Sequence, residues 1–115
     1  MFPAPHGAVC GALLPHVMAA NLRALRERAP GSEKLDRYQR IAALLTGNPH
    51  ASAEAGVEWV QTLVAELSIP KLGAYGVREE NVAGLVAQAA KASSMKANPV
   101  VLTPEELAQI LRLAL

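Results

Sequence analysis

Apolar residues recur at helical spacing along most of this chain, and the densest run extends from Pro3 to Leu25. Two neighbouring stripes of this run are apolar, the first formed by Val9, Leu13, Val17, Ala20 and Ala24 and the second by Leu14, Met18, Leu22 and Leu25. A helix that is apolar over most of its circumference is typical of the centre of a fold. We therefore expect one buried first helix, ending near Arg28, in which Pro15 introduces a bend opposite Gly11.

Two further helices are predicted by the same periodicity and by the residues that precede them. Ser32 and Ser52 are suitable N-cap residues, and we expect the second helix to end near Leu45 and the third before Pro70. The predicted core face of the second helix comprises Leu35, Tyr38, Ile41, Ala42 and Leu45. That of the third comprises Val57, Val60, Val64 and Leu67, with Trp59 and Leu63 beside it.

The last two helices follow a structured loop from Ile69 to Val77. A fourth helix is expected to begin near Arg78, because the next two residues are glutamates and acidic side chains favour a helix N-terminus. The run 103–106, TPEE, combines an N-cap, a proline at the first helical position and the acid of a capping box, and so predicts the start of a fifth helix. No strand alternation is evident. The sequence predicts a single all-α domain over residues 1–115, arranged as a five-helix bundle.

Composition and charge narrow the possible partners. Apolar residues make up 51% of the chain and aromatic residues 3%, so the core must consist of aliphatic side chains and alanine. The net charge is +1 with acids and bases interspersed, which favours neither nucleic acid nor an anionic membrane surface as a partner. Pro15 and His16 interrupt the first apolar run, which we judge too short to span a bilayer. With one cysteine and no signal-peptide pattern, we expect a cytoplasmic protein.

The most specific motif lies at the head of the first helix, where His6 stands between Pro5 and Gly7. The pattern PxPHGxxxxxLLPHVMxxN is followed downstream by SSMKANPxxLTxEEL and a terminal apolar helix. Together these patterns resemble the C-terminal end of the iron-containing alcohol dehydrogenases, a metal-dependent group that includes maleylacetate reductases. The resemblance extends over essentially the whole chain and implies that the helical bundle is part of the C-terminal domain of such an enzyme.

The resemblance also implies a role for His6. In that family the histidine of the PHG segment is one of four protein ligands to a catalytic divalent metal, and an aspartate and two histidines earlier in the chain are the others. The metal, iron or zinc, acts with NAD(P) in hydride transfer between alcohol and aldehyde. This sequence contains no counterpart of the other three ligands or of the glycine-rich nucleotide-binding domain. We therefore expect the chain by itself to bind neither metal nor nucleotide appreciably.

Other residues of types that can carry chemistry have simpler explanations. Cys10 lies four residues after His6 on the same helix face, so a zinc pair is conceivable, but a small buried hydrophobe is the favoured interpretation. We expect His16 to be an interior residue and His50 a solvated loop residue. The paired glutamates at 79–80 and 105–106 are explained by helix dipoles and capping. Neither phosphate-binding glycine motif occurs, and no residue pattern supports nucleophilic catalysis.

Three interpretations remain open at the level of sequence. The first is the metal-binding helical part of an NAD(P)-dependent alcohol or aldehyde oxidoreductase, catalytically incomplete by itself and with no catalytic residue beyond the metal ligand His6. The second is a helical interaction module, which forms a symmetric homodimer near the first helix or complements a separately encoded nucleotide-binding part. If residues 1–5 fold back and Phe2 covers the apolar face, a monomer results instead. The third is an independent helical protein whose resemblance is historical.

Overall fold

The computed structural model describes residues 6–91 and 98–115, apart from the side chain of His6. Residues 1–5, including Phe2, lie outside this part of the chain. The helices are α1 (His6–Arg28), α2 (Glu33–Thr46), α3 (Ala53–Glu66), α4 (Val82–Lys91) and α5 (Pro104–Ala114). Short 3-10 turns occupy Leu72–Tyr75 and Glu79–Asn81. The predicted all-α architecture with five helices is confirmed, and no strand occurs within the described ranges.

Helix α1 is the central element, as predicted. It packs against α2, α3 and α5, and its residues take part in each of three apolar clusters. With α4 and α5 the cluster comprises Ala20, Ala24, Val82, Val86, Leu102, Leu107 and Ile110. A second cluster joins Ala12 to Leu72, Val77 and Ala114, and a third joins Leu22 to Ala53 and Val57 of α3. Helix α1 therefore contributes to all three clusters, and no single cluster covers it alone.

Three leucine and isoleucine residues expected in the core are exposed instead. Leu14 is 48% exposed, Ile41 44% and Leu67 62%. Leu67 follows the last residue of α3 and serves as its C-cap, so the helical period no longer sets its direction. At the α2–α3 contact, Ala42 is fully buried, and a Cβ atom on Gly56 would lie 2.9 Å from the Cβ atom of Ala42. The two helices approach so closely at these small residues that Ile41, one position away, is turned to the side.

The first helix is continuous through Pro15, so the prediction of one helix rather than two is confirmed. Proline lacks an N–H group, and the carbonyl of Gly11 therefore loses its usual partner within the helix. Gly11 also allows a close approach, since a Cβ atom there would lie 3.0 Å from Cδ1 of Ile69.

The continuity of α1 overturns the expectation that its apolar run is too short for a bilayer. The stretch Gly7–Arg28, 22 residues long, is long and apolar enough to cross a membrane. Signal sequences and the core helices of soluble proteins meet the same criterion. Length and composition therefore give weak evidence about a membrane.

The predicted helix ends are largely confirmed. The hydroxyl of Ser32 accepts a hydrogen bond from the backbone N–H of Lys34, and the hydroxyl of Ser52 accepts one from that of Ala55. Gly47 ends α2 with φ of 73°, in the left-handed region that favours glycine. The predicted start of α4 was less accurate, because the residues after Arg78 form a 3-10 turn before the α-helix begins.

Side chains of α1 and α2 hold the irregular segment 98–101, which leads into α5. Arg28 donates to the carbonyl of Val101 at 2.7 Å, and Lys34 donates to the carbonyl of Pro99 at 2.8 Å. The segment has no neighbouring strand among the described residues, so its carbonyls need other donors. Long cationic side chains supply them here.

A partly buried pair of amide side chains also holds this segment. Asn21, 2% exposed on α1, donates to the side-chain oxygen of Asn98 at 3.0 Å, and Asn98 donates back at 2.8 Å. Asn21 also donates to the hydroxyl of Tyr38 on α2 at 3.1 Å, and Asn98 donates to the carbonyl of Val100 at 2.6 Å. These bonds satisfy polar groups that would otherwise be costly inside the core.

The capping box of α5 is connected to α1. The backbone N–H of Thr103 donates to the carboxylate of Glu106 at 2.8 Å, and the Glu106 backbone N–H donates to the Thr103 hydroxyl. Arg28 donates to the same carboxylate at 2.6 Å. Burial raises the pKa of Glu106, but the bonds from Thr103 and Arg28 outweigh burial and hold the pKa below its usual value.

Truncation of two leucines of α1 should show that its covered side contributes more to the free energy of unfolding than its exposed side. Leu25 is 2% exposed, and we expect Leu25→Ala to lower the free energy of unfolding by about 2–5 kcal/mol, because it leaves a cavity. Leu14→Ala, at a half-exposed position, should cost less than about 1 kcal/mol. Urea denaturation measures both, and equal costs would contradict the placement of α1.

The Glu106 carboxylate should make stability depend on pH. Because its pKa is lower in the folded than in the unfolded chain, its stabilising effect is present above the unfolded value of 4.5 and is lost as the pH falls through the folded value. Glu106→Gln should therefore lower the free energy of unfolding by about 1–2 kcal/mol at pH 7, and by much less at a pH well below both values.

The matched control is Glu105→Gln, at the exposed neighbouring position in the first turn of α5. It removes the same charge without touching the capping box, so its cost should be small at both pH values. Urea denaturation of both variants at neutral and acidic pH gives four changes in the free energy of unfolding, each relative to the unsubstituted chain. A Glu106→Gln cost that does not change with pH would contradict the role given to the carboxylate.

Candidate functional site at the start of α1

His6 is the first residue of α1, as the sequence pattern predicted. Its side chain lies outside the described part of the structure, so its role as a metal ligand stays a prediction. The helix that carries it is well anchored further along, where Ala20, Ala24 and Leu25 are buried. His6 therefore belongs to an element whose far end is firmly held.

An exposed stripe runs along the first half of α1. Gly7, Cys10 and Leu14 are all exposed, and their spacing of three and four residues places them on one side of the helix. The expectation that Cys10 is a small buried hydrophobe is wrong, because this side of α1 faces solvent. His6 precedes Cys10 by four residues, so its backbone position borders the exposed stripe. Whether the two side chains form a zinc pair stays a hypothesis.

The other histidines lie elsewhere. His16 is half-buried, in agreement with an interior position, and its pKa is lowered first by burial and then by the positive charge of Lys71. His50 is exposed, as expected, in the turn between α2 and α3, where its backbone N–H donates to the side-chain oxygen of Asn48 at 2.9 Å.

The described side chains do not by themselves fit a metal ion. Nowhere in 7–91 or 98–115 do three or more histidine, cysteine, aspartate or glutamate side chains come together in a possible metal site. A tightly held metal needs three or four converging donors. The glutamates considered in the sequence have other roles, since Glu79 accepts from Arg112 at 2.8 Å and Glu106 belongs to the capping box.

The hydrogen-bonded pair of Asn21 and Asn98 was not predicted from the sequence. Both residues are part of the motifs that carry the family resemblance, the first closing LLPHVMxxN and the second lying in SSMKANP. An asparagine at the end of an otherwise apolar helical stripe was the available signal. The pair touches no described metal-ligating residue, and its evident role is to hold α1, α2 and the segment before α5 together.

Comparison with known proteins tests the resemblance directly. No curated protein and no solved structure matches the chain. The model of the Fe-containing alcohol dehydrogenase family, C-terminal, matches residues 1–115. This match agrees with the motif around His6 and with the helical architecture. The chain belongs to the Fe-containing alcohol dehydrogenase family and corresponds to its C-terminal region.

Proposed function

We propose that this chain is the helical, metal-ligand-bearing part of an NAD(P)-dependent alcohol or aldehyde oxidoreductase. The observation that carries the proposal is the family match over residues 1–115, together with the PHG motif at the first residue of α1. In this proposal His6 supplies one ligand to a divalent metal. The remaining ligands and the nucleotide site are supplied by polypeptide outside these 115 residues, and the chain alone is catalytically incomplete.

The exposed stripe of α1 supports the proposal that this chain and other polypeptide each supply part of the metal site. His6 borders the side of the helix on which Gly7, Cys10 and Leu14 are exposed. A second polypeptide part that docks there would bring its own donors close to the imidazole. It would also cover Leu14, which is 48% exposed. When bound, the metal would act as a Lewis acid on the substrate oxygen.

The contribution of this chain is then to hold an imidazole in a fixed place. Helices are more precise supports for ligands than loops are, because neighbouring backbone positions are fixed by their hydrogen bonds. The far end of α1 is fixed by the hydrogen-bonded pair of Asn21 and Asn98 and by the apolar clusters. A cytoplasmic location is part of the same proposal, since the packing of α1 against α3 and α5 supports a core helix rather than a membrane span.

A second candidate function is that of an interaction module. Leu14 on the exposed stripe supports it, because it is a large apolar side chain that is 48% exposed, and exposed apolar surface on a protein can be covered by a partner. In this proposal two copies of the chain associate symmetrically near α1 and cover the exposed stripe of each.

We expect weak metal binding that is centred on His6. Cobalt(II), a paramagnetic substitute for zinc, should broaden the backbone NMR signals of Gly7 and Cys10 more than those of α3, because a bound paramagnetic ion relaxes nearby nuclei. His6→Ala should remove this selective broadening, and His50→Ala should not, since His50 is a solvated residue far along the chain.

The outcomes distinguish the two interpretations of His6. Broadening that persists in His6→Ala would contradict its role as a ligand, whereas tight binding that disappears in Cys10→Ser would favour the zinc pair. With added zinc or ferrous iron the chain should not oxidise a primary alcohol with NAD or NADP. Steady turnover that is lost in His6→Ala would contradict the proposed division of the site.

Self-association should appear as a rise in mass with concentration. Sedimentation equilibrium should move from 12.1 kDa towards twice that value, and Leu14→Gln should weaken the association because it places an amide on the exposed stripe. Leu44→Gln, at a position on α2 that is 83% exposed, is the matched control and should have little effect. A mass of 12.1 kDa at every soluble concentration would contradict the dimer.

A further inference from the structure

A cleft of about 240 Å³ opens beside the middle of α1, between that helix, α3 and the end of α5. Its walls are mostly apolar and include Val64, Ile69 and Leu113. Three polar side chains also line it: His16 from α1, Gln61 from α3 and Lys71 from the loop after α3. The cleft is distinct from the candidate metal position, because ten helical residues place His16 about 15 Å along the axis from His6.

The turn after α3 brings the lysine to this place. Ser68 has a φ of 55°, which reverses the chain just past the helix. The side chain of Ile69 then packs at Gly11, where a Cβ atom would lie 3.0 Å from Cδ1 of the isoleucine. Because Ile69 is seated on α1 in this way, Lys71 follows onto the same surface and lies close enough to influence His16 electrostatically.

Lys71 is the one charged side chain among the described residues that line the cleft. No aspartate or glutamate lines it, and none of the ion pairs among the described residues involves Lys71. Burial and then the positive charge of Lys71 lower the pKa of His16, which agrees with a lysine close to the imidazole. A cation next to an apolar wall, without an acidic partner, creates a positive potential that attracts anions.

We propose that this cleft binds a small aliphatic carboxylate, with the carboxylate group between Lys71 and His16 and the hydrocarbon tail along Val64, Ile69 and Leu113. The size is suitable, because an apolar cavity of about 150 Å³ already accommodates benzene. Phosphate fits less well, since it would require several charge-assisted donors where the cleft offers one ammonium, one imidazole and one carboxamide.

Pentanoate is a suitable probe, and the 115-residue chain can be titrated with it while backbone amide NMR spectra are recorded. We expect saturable binding with a Kd on the order of 1 mM, and shifts concentrated at His16, Gln61 and Lys71. Lys71→Ala should raise the Kd by about fivefold or more, because it removes the charge-assisted contact. Lys91→Ala, an exposed lysine at the end of α4, is the matched control and should leave the Kd unchanged.

Two further measurements separate carboxylate recognition from simpler causes. Pentanol has the same tail without the charge and should bind much more weakly, and inorganic phosphate should produce no saturable shifts at His16. Bound pentanoate should raise the pKa of His16, measured from its ring signals, because a neighbouring negative charge favours the protonated imidazole.

Several results would overturn the proposal. One is binding of pentanoate that does not saturate. Another is equal binding of pentanol, which would show that the cleft recognises only the hydrocarbon tail. An equal loss in Lys71→Ala and Lys91→Ala would show attraction by net charge alone. Equal or tighter binding of phosphate would identify a different anion. None of these measurements depends on His6 or on enzymatic turnover, so they leave the proposed function untouched.

Discussion

Helix α1 is apolar on more sides than one neighbouring helix can cover. The other helices therefore pack around it. The helix meets α4 and α5 through Ala20 and Ala24, and meets α3 through Leu22. Burial of aliphatic surface is the main favourable contribution available to a core with so few aromatic side chains. Alanines on α1 allow neighbouring helices to lie close, so the loss of any one neighbour would expose apolar surface along much of the helix.

The local signals in the sequence predicted the fold well, because helix caps depend on few residues. Ser32, Ser52 and the Thr103 capping box all lie where the sequence placed them. The core faces were predicted less well. Periodicity shows which residues share a side of a helix, but not which side meets a neighbour. Leu14 and Ile41 have the correct spacing for a core face and are nevertheless exposed, since contacts elsewhere decide how each helix is rotated.

The candidate site shows the same division between local and long-range information. His6 was found through a motif that is local in sequence, whereas spacing alone would have given it no role. The pairing of Asn21 with Asn98 joins residues 77 positions apart, and no periodicity indicates it. The cleft around His16 likewise takes one polar side chain from each of three separate parts of the chain. Such sites depend on tertiary packing, which a helical pattern does not encode by itself.

The segment 98–101 depends on side chains of other elements for the partners of its carbonyl groups. The carbonyls of Pro99 and Val101 depend on lysine and arginine side chains, which water can replace at little cost once they are exposed. Helices α2 and α3, in contrast, meet through the close contact of Ala42 and Gly56, which the loss of those bonds does not disturb. In terms of native-state dynamics, we expect local opening of the segment 98–101 to require less free energy than separation of the α2–α3 pair.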